Sequence, residues 1–220
     1  FFIFTLFLCF VLGLLLSIST IQVQEQDTDI KEDRTLTSFQ PKNYQNLVTG
    51  EQEAKRFQWT IEAVANLKVR LKQGQQPGTR LETLVAKWGK AQKVRYTKTA
   101  QGDKTVLVLT YAAKQSEKGK KSVTLWFEQD QAKGFRLTMV DATNLLDATE
   151  KSSSEKDITT EKGKKGTEFA QLIQKLGNPQ RLVWGELLDG EMGYRASYQI
   201  PGQPEVVMEW KKKGSKLVLI

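Results

Sequence analysis

The chain has no histidine and one cysteine, Cys9, and these two counts decide what chemistry is open to it. Without imidazole there is no Ser-His-Asp or Cys-His nucleophile. There is also no His-ligated zinc, haem or non-haem iron site. A lone thiol cannot close a disulfide within its own chain. Acid pairs do occur, Glu186 with Asp189 and Asp141 with Asp147. Their flanks carry no glycosidase or metal-loop pattern, so they read as turn and surface carboxylates. No GxGxxG run and no Gly-rich loop ending in Lys-Ser/Thr is present, so nucleotide binding has no support. The residues describe a non-enzymatic protein with no metal and no cofactor.

What remains is chemistry of recognition. Trp126, Arg95, Val106, Val108 and Arg136 fall on one side of a predicted sheet, and Arg195 on the corresponding side of a second. Trp and Arg are enriched at binding hot spots, and an exposed amphipathic patch marks an interface. A second candidate is lysine, in Lys118-Gly-Lys-Lys121, Lys162-Gly-Lys-Lys165 and Lys211-Lys212-Lys213. Such runs attract anionic polymers or headgroups, each base near an anionic membrane adding about 1 kcal/mol. The runs fall in predicted turns, where lysine is ordinarily solvated.

The chain has 220 residues, 39% hydrophobic and 26% charged, with a net charge of +8. That composition suits a globular protein with its own core. The start is different. Phe1 to Ile18 is apolar and no charge precedes Glu25. A run of about 20 apolar residues can span a bilayer, and Ser17-Ile-Ser19 is a weak signal-peptide cleavage site. Cys9 follows Leu8, not the small residue that precedes a lipid-modified cysteine, so it reads as an apolar residue. Residues 1–22 are therefore expected to be a signal peptide or a membrane anchor, and residues 23–50 a polar tether. Glu25 to Glu53 hold seven acids against three bases, a net of −4, which leaves +12 for residues 54–220. An acidic flank after the apolar run agrees with an outside location. The expected place is the cell membrane, on its extracytoplasmic side, or secretion if the start is cleaved. Nucleic acid, the natural partner of a basic chain in the cytoplasm, is then not expected.

The elements that must position the binding residues come as an internal repeat. Gly78-Thr-Arg-Leu-Glu-Thr-Leu-Val-Ala-Lys-Trp-Gly89 aligns with Gly166-Thr-Glu-Phe-Ala-Gln-Leu-Ile-Gln-Lys-Leu-Gly177. Each reads as a short helix ended by a glycine. Thr79 and Glu82 are spaced as a capping box. Leu81, Leu84, Val85 and Trp88 form one apolar stripe, as do Phe169, Leu172, Ile173 and Leu176. Four strands follow each helix: 92–97, 105–112, 122–128 and 134–141, then 181–187, 193–200, 205–211 and 216–220. Alternation assigns Val94, Tyr96, Leu107, Leu109, Tyr111, Val123, Leu125, Phe127, Leu137 and Met139 to the core. It leaves Arg95, Val106, Val108, Thr110, Thr124, Trp126, Arg136, Thr138 and Val140 on the open side. Phe57, Ile61, Val64, Leu67 and Leu71 predict a helix over 56–73.

A Gly-Thr-opened helix, a closing Gly and a four-stranded sheet, in tandem, resemble the β-lactamase inhibitory protein superfamily. The single unit is similar to the small lipoprotein of the outer-membrane barrel-assembly machine and to related secreted or membrane-anchored proteins of Gram-positive bacteria. Gly78-Thr79, Leu84-Val85 and Gly89, with Gly166-Thr167, Leu172-Ile173 and Gly177, carry the resemblance. It implies an extracytoplasmic, non-enzymatic protein that binds a partner on a sheet surface. The lobes lack the inhibitors' cysteines, so β-lactamase inhibition is not carried over.

The expected fold is α+β: two tandem lobes, each a helical pair on a four-stranded antiparallel sheet, after an N-terminal apolar helix. Residues 51–142 form the first repeat, 143–165 a linker or degenerate helix, and 166–220 the second repeat. The expected function is a membrane-tethered or secreted module binding an extracytoplasmic protein through Trp126, Arg95, Val106, Val108, Arg136 and Arg195. The alternative is an anionic envelope polymer or lipid headgroup bound through Lys211, Lys212 and Lys213.

Overall fold

The computed structural model describes residues 54, 56–72, 76–99, 104–113, 121–130, 134–147, 155–199 and 202–220. The expected signal or anchor and the tether lie outside them. Among the described residues no helix is long and apolar enough to cross a membrane. Eight strands appear in chain order: β1 Lys93–Lys98, β2 Thr105–Ala112, β3 Ser122–Gln129, β4 Phe135–Asp141, β5 Arg181–Glu186, β6 Met192–Tyr198, β7 Val206–Lys213 and β8 Lys216–Leu219. Among the described residues four short α-helices accompany them, α1 Ile61–Val64, α2 Leu81–Trp88, α3 Glu155–Lys162 and α4 Phe169–Leu176, with a 3-10 turn at Thr143–Leu145.

The expectation of two lobes, each with its own four-stranded sheet and helical pair, is overturned. All eight strands form one antiparallel sheet in sequence order. The reason is the pairing of β4 with β5, Val140 opposite Trp184 and Asp141 opposite Val183. This joins the last strand of the first repeat to the first strand of the second. One row of opposed residues then crosses the whole sheet: Val94, Leu109, Leu125, Val140, Trp184, Tyr194, Trp210 and Leu219. All but Val94 are buried. Opposed residues in antiparallel strands share a face, so this row defines the core side.

The helices close that side. Trp88 of α2 meets Tyr111 edge-on at 5.2 Å and Phe57 at 4.3 Å. Phe169 of α4 meets Trp210 edge-on at 5.2 Å. Burial of each such ring contributes about 1.5–3 kcal/mol. The repeat positions make matching bonds. The Tyr111 hydroxyl donates to the Gly89 carbonyl at 2.9 Å, and the Tyr198 hydroxyl to the Gly177 carbonyl at 3.2 Å. Each phenol thus satisfies a carbonyl at a helix C-terminus that the helix itself leaves open.

The threonines act differently from the expected caps. The N-terminal caps of α2 and α4 are Arg80 and Glu168, neither making a side-chain capping bond. Thr79 Oγ1 donates instead to the Lys68 carbonyl, and Thr167 Oγ1 to the Lys164 carbonyl. The segments opening each helix are held to the sheet by single bridges, Arg80 with Arg136 and Glu168 with Val218. That pairing spends the residue after each threonine on strand-like backbone, so the hydroxyl sits one position too early to cap.

The expected helix over 56–73 is also corrected. Only Ile61–Val64 is helical, and the chain then runs as a strap over the junction. The Ile61 carbonyl accepts from the Tyr194 hydroxyl at 2.5 Å, and the Leu67 carbonyl from Trp184 Nε1 at 2.9 Å. The Arg70 N–H donates to the Leu137 carbonyl at 2.7 Å. A continued helix would have turned the Leu67 and Arg70 backbone groups inward. The strap also explains Gly78, at φ +73°: an added Cβ would sit 2.6 Å from the Leu137 carbonyl and 2.7 Å from the Arg70 nitrogen. Only glycine accepts both the backbone angle and that approach.

A bulge re-aims β4. Trp126 opposes Met139 while Phe127 opposes Leu137, so Thr138 is the extra residue. Its hydroxyl donates to the Trp126 carbonyl at 3.1 Å. One inserted residue reverses the alternation. Val140 therefore faces the core, fully buried, and Met139 faces outward. Their expected sides are exchanged.

Because one row spans both repeats, Trp184→Phe should lower the stability of the whole chain. The lost bond leaves the Leu67 carbonyl unpaired, at a cost of about 1–3 kcal/mol. Urea unfolding followed by far-ultraviolet circular dichroism and by tryptophan fluorescence should give coincident single transitions for both proteins, shifted together in the variant. Two separate transitions would contradict the single-sheet account.

Candidate functional site

On the second side of the sheet, in the β1–β4 half, the side chains are set by strand register. Arg95, Val108, Trp126 and Met139 oppose one another across β1, β2, β3 and β4. At about 4.8 Å per strand the row is roughly 14 Å long. Arg95 is exposed, Val108 is buried as its floor, and Trp126 and Met139 are half-buried. Val106 lies one pleat away and is buried as well. Lys93, also exposed, stands opposite Thr110 on the same side.

The cations of this side differ in what they already bind. Arg136 Nε donates to Asp130 Oδ2 at 2.9 Å, with both side chains largely covered. Arg195 is 3.1 Å from Glu209 Oε1. Glu128 receives Lys104 at 2.8 Å and stands 3.6 Å from Arg70. The side chains of Arg95 and Lys93 carry no hydrogen bond or ion pair among the described residues. A free guanidinium can take a carboxylate in a bidentate grip, and an indole beside it supplies flat apolar area. The row holds no nucleophile and no acid–base pair.

Of the expected contact residues, the structure brings Arg95, Val106, Val108 and Trp126 together in the first half. Arg136 lies near them, across β4 from Glu128, engaged with Asp130. Arg195 lies three strands from Trp126, in the second half. Met139 belongs to the row although alternation assigns it to the core, because the bulge at Thr138 leaves no mark in the alternation.

The lysine run does not form one patch. Lys211 opposes Val218 and Lys212 opposes Leu217, so they point to opposite sides. Lys211 lies between Asp189 and Glu191, and Lys212 Nζ donates to Asn66 Oδ1 at 2.8 Å. Lys213 is exposed at the β7–β8 turn. The acid pairs are occupied too. Asp141 Oδ1 receives the Thr143 N–H and hydroxyl at 2.9 and 2.6 Å, and Glu186 Oε2 receives the Lys72 N–H at 2.9 Å. Asp147 faces Lys121 at 3.2 Å. Among the described residues no group of His, Cys, Asp and Glu is arranged to hold a metal ion. Burial pushes the phenols of Tyr111, Tyr194 and Tyr198 upward, so they stay protonated and structural.

The β5–β6 turn carries the clearest electrostatic pairing. The hydrogen bond from Lys211 holds the Asp189 carboxyl below its usual range, and the same contact raises Lys211. A depressed carboxyl stabilises the fold above the ordinary aspartate range near 4, and that stability is lost as pH falls through the folded value. Lys211→Met should therefore lower the urea midpoint at pH 7. The two proteins should converge as pH drops below about 4. A difference that persists unchanged in acid would mean that packing of the lysine stem, and not charge, is what the substitution removes.

No protein-family model matches the chain, and no curated protein matches it. Among solved structures, a protein of Streptococcus mutans named "putative beta-lactamase inhibitor protein" aligns with 69% of this chain and 86% of its own, at 16% identity and a TM-score of 0.33.

Proposed function

We propose that this chain is a non-enzymatic protein-binding module whose contact surface is the open side of the sheet, centred on Arg95, Val108, Trp126 and Met139. The observation that carries the reading is the exposed, unpaired guanidinium of Arg95 set in one row with a half-exposed indole over a buried valine floor. An ion-pairing group and an apolar platform on rigid strands suit a partner that offers a carboxylate beside an apolar side chain. Strands hold such groups with little entropy to lose on binding. The apolar run Phe1–Ile18 supports the further proposal that the module works outside the cytoplasm, tethered or secreted. Envelope polymer or lipid bound through the lysine run is the weaker reading, because Lys211 and Lys212 face opposite sides and are already engaged.

The test is site-specific photo-cross-linking in the source cells, with the reactive residue at Trp126 and, as control, at the exposed Lys87 of α2. A discrete adduct from position 126 and none from position 87 is expected. With that adduct's protein purified, Trp126→Ala should weaken binding by about 2 kcal/mol or more, with little dependence on salt. Arg95→Glu should weaken it further as salt falls, since repulsion replaces attraction and is least screened there. Binding that survives both changes but fades on neutralising Lys211, Lys212 and Lys213 would transfer the function to the lysine run.

A further inference from the structure

Among the described residues one large apolar side chain is exposed, Leu188, at 89%. It sits at the tip of the β5–β6 hairpin, in Leu187-Leu188-Asp189-Gly190. A mobile loop would explain such exposure cheaply, but this turn is tied down. The Leu187 N–H donates to the Glu191 carbonyl at 2.8 Å and the Gly190 N–H to the Leu187 carbonyl at 3.1 Å. The Glu191 N–H donates to Asp189 Oδ1 at 3.1 Å. Lys211 then clamps Asp189 and Glu191 together from β7. Beneath, Leu187 is buried and occupies the space that a side chain at Gly193 would need.

The turn also leans toward the open side. The Leu188 N–H reaches Glu209 Oε1 at 3.4 Å, the same oxygen that holds Arg195. Leu188, Arg195, Val207, Glu209, Ile220 and Lys162 line a shallow depression. Around the tip, Asp189 and Glu191 share Lys211, and Glu209 pairs with Arg195. At the turn itself two carboxylates thus meet one cation, and the side chains of Glu191 and Asp189 are 68% and 44% exposed against 20% for Lys211.

We infer that the hairpin tip is a second contact, a preorganised anchor that places Leu188 in an apolar pocket rimmed by basic groups on the partner protein. This rests on the reading of the open side given above, with the tip reaching the same partner. Rigid display of one leucine removes the ordering cost that a loose loop would carry. The surrounding carboxylates choose a basic rim and oppose an anionic bilayer, whose surface would repel them.

The experiment uses the full chain. A photo-reactive residue is placed at Leu188, and separately at Trp126, and the adducts are compared by mass. The purified protein from the adducts is then titrated with wild type, Leu188→Ala, Leu188→Met, Lys211→Met and Trp126→Ala. One common adduct is expected. Leu188→Ala should weaken binding by about tenfold or more, and Leu188→Met should recover most of it. Lys211→Met, which loosens the turn and leaves the leucine, should cost about two- to fivefold. Leu188 is exposed, so its variants should keep the wild-type urea midpoint. Leu188→Ala within about twofold of wild type, against a protein that Trp126→Ala no longer binds, overturns the anchor and leaves the open-face reading intact. Loss with Leu188→Ala but not with Trp126→Ala keeps the anchor and removes the open-face reading. Absence of any adduct from position 188 overturns the anchor. So does Leu188-dependent binding to vesicles of equal phosphatidylcholine and phosphatidylglycerol, which would make the tip a lipid contact.

Discussion

The backbone pairing of β4 with β5 is the constraint on which the rest depends, and it is narrow. Two residue pairs make it, Val140 with Trp184 and Asp141 with Val183. Neither pair would hold two sheets together in water, since so few ladder bonds offer little net gain over bonds to solvent. The bonds around them make it durable. The Ala142 N–H donates to the Leu182 carbonyl and the Leu182 N–H to Thr143 Oγ1, both at 2.8 Å. The strap of residues 61–71 then crosses the seam, with its carbonyls on Trp184 and Tyr194 and its Arg70 N–H on Leu137. The segment expected to serve the first repeat alone is thus divided between the two. Joining the sheets also removes two edges that would otherwise invite pairing with other chains. The edges that remain, β1 and β8, carry Lys93, Arg95, Lys98 and Lys216, the charged side chains that discourage such pairing.

The same seam separates the two sides of the sheet in chemical character. On the core side four polar tips of the large aromatics are assigned to backbone carbonyls, Tyr111 to Gly89, Tyr198 to Gly177, Tyr194 to Ile61 and Trp184 to Leu67, while the buried Trp210 Nε1 has no partner. On the open side the charges are mostly assigned to one another, as Arg136 with Asp130 and Arg195 with Glu209. A rigid sheet with most of its polar groups satisfied has few ways to lose energy by binding. The exceptions become the informative residues, Arg95 by its free guanidinium and Leu188 by its exposure.

Much of the architecture was legible, and the reasons it was incomplete are specific. Strand positions follow from period-two alternation broken by Gly, Lys and Asp, a signal local to each strand. The two Gly-bounded helices were legible because their apolar stripes and terminal glycines also lie within a few residues. Whether β4 ends a sheet or continues into another is not a local property. Phe135–Asp141 has the same pattern in either case. The strap failed for a related reason: Val64, Leu67 and Leu71 keep helical spacing, yet the tertiary donors Trp184 and Tyr194 lie more than a hundred residues away in sequence. Of the site, Arg95, Val106, Val108 and Trp126 followed from alternation, while the bulge concealed Met139. Leu188 did carry a signal. Two adjacent leucines before Asp-Gly cannot both point inward, so one of them had to face water.

Net charge and local charge pull in different directions here, and the distinction bears on what the chain recognises. A charge of +8 would by itself favour anionic surfaces, through a field that salt shortens to about 8–10 Å. Strand alternation breaks that field into pieces. It sends Lys211 and Lys212 to opposite sides, pairs Arg136 and Arg195 internally, and sets two exposed carboxylates, Asp189 and Glu191, around one lysine at the β5–β6 turn. What survives on the open side is a gradient: free cations beside an indole at the β1–β3 end, an acidic hairpin with an exposed leucine at the β5–β7 end. A uniform anionic polymer would gain at one end and be repelled at the other. A folded partner can present an acidic group to Arg95 and a basic rim to the hairpin at the same time. On the function proposed above, the arrangement favours a surface with its own pattern of charge, which is the property of a protein.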